Sequence, residues 1–153
     1  MKKTLKNNQL TDELIIESAK KDTDFHKAIE QTLKGKELPV PNFTFEDKDK
    51  MNRSEIRIKW WEAPSEVTYK EISIEPHPNL PDTLIGKEFI KDNDFYNENE
   101  KPVFFGHYWL KGNPSLYRGN ICCLDYSVAK EGVLVAYSFD EEPELSNEKF
   151  TYE

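Results

Sequence analysis

Residues 101–113, KPVFFGHYWLKGN, decide how this chain is read. An apolar run, Val103-Phe104-Phe105, has the β-branched and aromatic character of a buried strand. It stops at Gly106-His107, and two further aromatics, Tyr108 and Trp109, follow. A glycine at a strand end lets the backbone turn sharply, and the next imidazole can then reach into the crevice beyond the strand. Two readings stand: His107 as a metal ligand at that end, or His107 as one more ring in an aromatic core. Neutral imidazole suits manganese, iron or zinc. On composition alone, a lone Gly-His pair is more often a core histidine than a ligand.

Working outward, the last third carries further apolar runs, NICCLDYS and GVLVAYSFD, with VAKEG as the turn between them. Cys122 and Cys123 are adjacent, and neighbours on a strand point to opposite faces, so they do not pair with each other. They have no zinc or redox spacing and read as buried strand residues in a reducing compartment. The acidic end, EEPELSNEKFTYE, reads as frayed, as do residues 1–9.

Upstream, residues 10–20 predict a short helix capped by Thr11, with Asp12 and Glu13 at its positive end and Leu10 stapled onto Ile15. Residues 23–34 predict a second helix with Phe25, Ala28, Ile29 and Leu33 on one face and Gly35 at its end. Pro39 and Pro41 exclude helix after it. SEIRIKWW alternates as a strand, with Ile56, Ile58 and Trp60 on one face and Arg57, Lys59 and Trp61 on the other. VTYKEISIEP reads as another strand, EPHPNLPD as an extended connector, and residues 82–100 as a loop with one helical turn. The class is α+β: two amino-terminal helices, then mostly antiparallel strands, in one domain of 153 residues.

The net charge is −8, from 29 acidic and 21 basic side chains, which argues against a general binder of nucleic acid or anionic membrane. MKKTLKNNQL has lysines without an apolar run after them, and no stretch reaches the length of a membrane span. The expected setting is cytoplasmic.

Other motifs have plain readings. Asp24-Phe25-His26 looks like a metal Asp-x-His, but it lies inside a helical pattern. His77, between two prolines, has no ligand partner at metal spacing. Ser127 lacks a nucleophile elbow, and no phosphate-cradling glycine loop is present. Arg57, Lys59 and Trp61 form a candidate surface for phosphate and a stacked ring. The plain reading of those three is a half-exposed strand face.

The segment VFFGHYWLKGNPSLYRGNICCLDYSVAKEGVLVAYSFD resembles the closing part of bacterial calcineurin-like metallophosphoesterases, in the group of serine/threonine phosphatases and diadenosine tetraphosphatases. In that group a strand ends in Gly-His, the last metal ligand, and core strands with an I-x-x-D-x-x…G-x-L-x-A pattern follow. Gly106-His107 matches the first part; Asp125, Gly132, Leu134 and Ala136 match the second. Upstream, AIEQTLKGKELPVP, F-x-DKD and IRIKWWE resemble the stretch before that histidine. The resemblance implies a sandwich of two sheets flanked by helices and a two-metal, manganese-activated phosphoesterase. It also implies what is missing. The Gly-Asp-x-x-Asp-Arg and Gly-Asn-His-Glu motifs are not in this sequence, since KGNP and RGNI lack the following histidine, and Asp24-Phe25-His26 lies in a helical pattern rather than at the strand end where the family's Asp-x-His stands. Only His107 carries over as a ligand. The expectation is therefore the carboxy-terminal half of such an enzyme, inactive without a complementing amino-terminal half, or a binding or regulatory module descended from one. A half-fold is also expected to self-associate.

Overall fold

A computed structural model describes residues 9–46, 50–90 and 95–153. The expected fraying of residues 1–8, the charged turn at 47–49 with its part of the F-x-DKD match, and residues 91–94 lie outside the described residues. Helix and strand are mixed, as the α+β class requires.

Helix α1 (Asp12–Ser18) starts where Thr11 accepts a hydrogen bond from the Leu14 amide. Helix α2 (Asp24–Lys34) starts in the same way at Thr23, whose hydroxyl accepts from the His26 amide. Such caps satisfy amides that a helix's first turn leaves open. Gly35 ends α2 at φ 88°, and a Cβ there would lie 2.0 Å from the Tyr108 hydroxyl. Only glycine meets both demands.

Strand β1 (Glu37–Pro39) follows and pairs antiparallel with β4 (Glu55–Arg57), while the hairpin strands β2 (Phe45–Glu46) and β3 (Asn52–Arg53) lie between them. One core gathers here: Leu38, Val40, Ile56, Ile58, Tyr69, Ile72, Leu80 and Ile85 bury together. Phe43, Phe45 and Val67 pack against it.

VTYKEISIEP corrects the strand expectation. Thr68 and Glu71 close a capping box on a one-turn helix, α3 (Tyr69–Ile72), and extended structure survives as single bridges, Thr68 to Leu84 and Ser73 to Ile58. A Thr-x-x-Glu cap outweighs the Ile72/Ile74 alternation. The alternation of SEIRIKWW also ends early. After the Ile58 bridge the chain turns, the Glu62 amide donating to the Lys59 carbonyl, and Trp61 goes to the interior.

Strand β5 (Val103–Phe105) and β6 (Ile121–Cys123) are parallel, joined by the long connection 106–120 that parallel pairing demands. Strands β7 (Asp125–Tyr126), β8 (Val133–Tyr137) and β9 (Phe150–Tyr152) form an antiparallel sheet in that order. The carboxy-terminal segment is thus a paired strand rather than a frayed tail. Lys149 ties it down through Asp140 and Glu142, at 2.9 and 3.0 Å. The Tyr137 hydroxyl donates to Glu142 at 3.0 Å.

An aromatic layer joins the two halves: Trp60, Trp61, Tyr96, Phe105, Tyr108 and Tyr117 contact one another ring to ring. Among the described residues, no helix is long and apolar enough to cross a membrane.

Candidate functional site

The site lies where the two parallel strands end. Beyond β5 the chain passes through Gly106 to His107, and beyond β6 through Leu124 to Asp125. Crevices at the carboxyl ends of parallel strands are where ligands bind in open sheets, because the chains diverge there. His107, Trp109, Asp125, Ser127, Val128 and Ala129 line one open cavity of about 240 Å³.

The backbone around this cavity is strained in a concerted way. His107, Trp109 and Ser127 have φ of 70°, 51° and 60°, the left-handed region that side-chain-bearing residues avoid. Asp125 holds two of these turns at once. Its Oδ2 accepts from the Trp109 amide at 3.3 Å and its Oδ1 from the Ser127 amide at 3.1 Å. The Leu110 amide donates to the Asp125 carbonyl at 3.1 Å, and the Ser127 hydroxyl donates to the Leu110 carbonyl at 2.9 Å. Asp125 is therefore a positioning residue. Gly132 belongs to the same frame: a Cβ there would meet the Tyr126 carbonyl oxygen at 1.8 Å.

On the other side, Arg57 donates from Nη1 to the His107 carbonyl at 2.9 Å. It lies over the Tyr108 ring at 5.3 Å and faces Glu37 at 3.7 Å. His107 itself is exposed while its neighbour Tyr108 is buried, so the crowded aromatic position belongs to Tyr108. Burial pushes the Tyr108 phenol up to about 12. Glu30 of α2 is held below the ordinary carboxylate value, first by its hydrogen bond from Lys34, with His26 and His107 adding to the effect.

The candidate set Arg57, Lys59 and Trp61 does not form one open face. Arg57 serves the His107 turn, and the Lys59 ammonium donates to the Glu71 carbonyl at 2.7 Å. Trp61 is only 1% exposed and packs on Trp60, Phe105 and Tyr117. His26 donates from Nδ1 to the Ser18 carbonyl at 2.6 Å, and His77 packs between Phe43 and Phe45. The Gly-Asn of RGNI is a structural tie. Asn120 is buried and donates to the carbonyls of Asn97 and Glu100, while Arg118 reaches those of Trp61 and Tyr96.

Sequence reasoning missed Lys130, whose ammonium sits 4.3 Å from the centre of the Trp109 ring. No spacing rule relates these two residues; only the VAKEG turn brings them together.

A metal pair requires several donors per ion. His107 offers an exposed imidazole, but the Asp125 carboxylate is engaged by two amides. No group of three or more His, Cys, Asp or Glu placed to hold a metal occurs among the described residues. These residues do not by themselves fit a two-metal centre. No family model, curated protein or solved structure matches the chain.

Proposed function

We propose that this chain is the carboxy-terminal portion of a metal-dependent phosphoesterase of the calcineurin-like kind, acting on phosphate esters or dinucleotide polyphosphates. His107 would supply one ligand to a divalent metal pair, with manganese as the expected ion. The supporting observation is the placement of Gly106-His107 at the carboxyl end of a parallel strand, with His107 exposed at a cavity, its carbonyl held by Arg57 and the amide of Trp109, two residues on, held by Asp125. A strained, over-determined turn that presents an exposed histidine is the kind of arrangement that function maintains. The remaining ligands come from a complementing segment carrying the Asp-x-His, Gly-Asp-x-x-Asp-Arg and Gly-Asn-His-Glu motifs. In the finer architecture proposed here, that segment completes the two-sheet sandwich.

The incomplete donor set favours one further reading, a non-catalytic binding or regulatory module descended from such an enzyme. One experiment separates them. The chain is co-expressed with the reading frame that bears the missing motifs, and manganese-dependent hydrolysis of p-nitrophenyl phosphate and diadenosine tetraphosphate is measured. The enzyme reading expects activity only in the pair, and its loss in His107→Ala. Activity that survives His107→Ala, or a pair that associates without hydrolysing either substrate, would sink it.

A further inference from the structure

Trp109 is the exposed aromatic of the His107 cavity, with 38% of its surface open, next to the buried Tyr108 and the half-buried Phe104 and Phe105. Its backbone is held at φ 51° by the Asp125 carboxylate. Lys130, next in the chain to the lining residue Ala129, lies against the ring at 4.3 Å, a cation–π contact that fixes the indole and sets a positive charge on one of its faces. The frame thus spends strain to hold an indole in the open. A structural tryptophan would gain more by burial, as Trp61 does at 1% exposure.

An indole face accepts flat rings by stacking, whatever their hydrogen-bond pattern, and the neighbouring ammonium offers a counter-charge to an anion. The cavity holds about 240 Å³. That is room for one ring system against the indole, and the cavity is open to solvent beyond it.

We propose that Trp109 and Lys130 form a recognition subsite for a phosphate monoester carrying a single planar aromatic group, the ring stacked on Trp109 and the phosphate drawn toward Lys130 and His107. This deepens the reading of the His107 cavity as the phosphoesterase site and rests on it. It narrows the substrate class from phosphate esters in general to mononucleotides or small aryl phosphates.

The test is equilibrium binding by calorimetry, with the full chain in a metal chelator. The probes are adenosine monophosphate, p-nitrophenyl phosphate and glycerol 2-phosphate. At least one aromatic probe should bind about tenfold or more tightly than the aliphatic one, the scale of one stacked base; which of the two does so identifies the source. Trp109→Ala should erase that preference, and Trp109→Phe should keep it within about threefold of the wild type, the ring face being retained. Lys130→Gln should weaken all phosphates alike. The inference is overturned if the aliphatic probe binds as well as both aromatic ones, if no aromatic probe binds, or if the preference survives Trp109→Ala. Binding in chelator needs no metal, so its failure is separate from a failure of His107-dependent hydrolysis in the complemented pair.

Discussion

At His107 the backbone angle of 70° makes side-chain shape a stability question independent of chemistry. A left-handed residue with a Cβ gives up about 1 kcal/mol or more relative to its preferred regions, and a β-branched one is worse. His107→Gly should leave the free energy of urea unfolding unchanged or raise it by up to about 1 kcal/mol, even though it deletes the candidate ligand. His107→Val should lower stability by about 1 kcal/mol or more. If valine is tolerated as well as glycine, the turn is not held as described. Asp125 gives the complementary case. Asp125→Ala strands the part-buried amide of Ser127, at about 1–3 kcal/mol for a buried donor left unpaired, and releases the exposed amide of Trp109 to water; Asp125→Asn should recover part of that through its remaining carbonyl oxygen. Equal loss in the two variants, measured by denaturant unfolding, would deny Asp125 its positioning role. This is also where the sequence was partly legible. Gly106-His107 announced a turn at a strand end, because glycine there has few other uses. Nothing in the spacing of Arg57 or Lys130 disclosed that both converge on that turn, since each arrives by a tertiary contact. Trp61 misled because strand alternation holds only while pairing lasts, and pairing stops at Ile58.

Strand β6 offers an element-scale test. Neither Cys122 nor Cys123 has exposed surface, and burial raises both thiols, Cys122 to about 12 and Cys123 to about 11. Unfolded thiols titrate near 8.5. Above that pH the unfolded chain has released protons that the native one keeps, so stability must fall as pH rises, continuing until the native thiols themselves ionise. The urea midpoint should therefore decline from about pH 8.5 to pH 10 more steeply in the wild type than in Cys122→Ala/Cys123→Ala. Parallel slopes would mean that the thiols reach solvent. Beyond β8, Glu142 runs the opposite way. Its burial works against ionisation, but amides at Glu142 and Asp140, with Lys149 and Tyr137, hold it down at about 2. It contributes stability above the ordinary carboxylate range near 4.3, lost as pH falls toward 2, and Glu142→Gln should flatten the acid limb of a thermal-unfolding profile across that interval. Of the amino-terminal helices, α1 was legible through its Thr11 cap and α2 through its apolar stripe and Gly35, which act locally. β9 was not, because EEPELSNEKFTYE is polar along its length and pairs only through the Lys149 tie and the β8 edge.

Over the whole molecule, apolar surface is distributed unevenly. Helices α1 and α2 contain no buried residue, and Leu10, Ile15, Ile16 and Leu33 are 55%, 51%, 66% and 64% exposed. Fully covering an Ile or Leu side chain is worth about 1.5–3 kcal/mol, so four on each of two copies, half to two-thirds open, offer about 6–16. Lost translational and rotational freedom costs about 4–15 kcal/mol, and a micromolar dimer needs about 8.2 in surplus. The formal charge of −8 on each copy adds repulsion. Only the top of that gain set against the bottom of that cost reaches a micromolar dimer, so the magnitudes favour weak self-association through the two helices, which salt promotes by screening. By light scattering the mass should stay near 18.0 kDa at micromolar concentration, rise toward millimolar, and rise further in high salt. Ile15→Lys/Ile16→Lys should suppress that rise. A stable dimer at micromolar concentration that ignores the double substitution would place the contact elsewhere, and the exposed outer positions of β8, Leu134 and Ala136, would be the next surface to change.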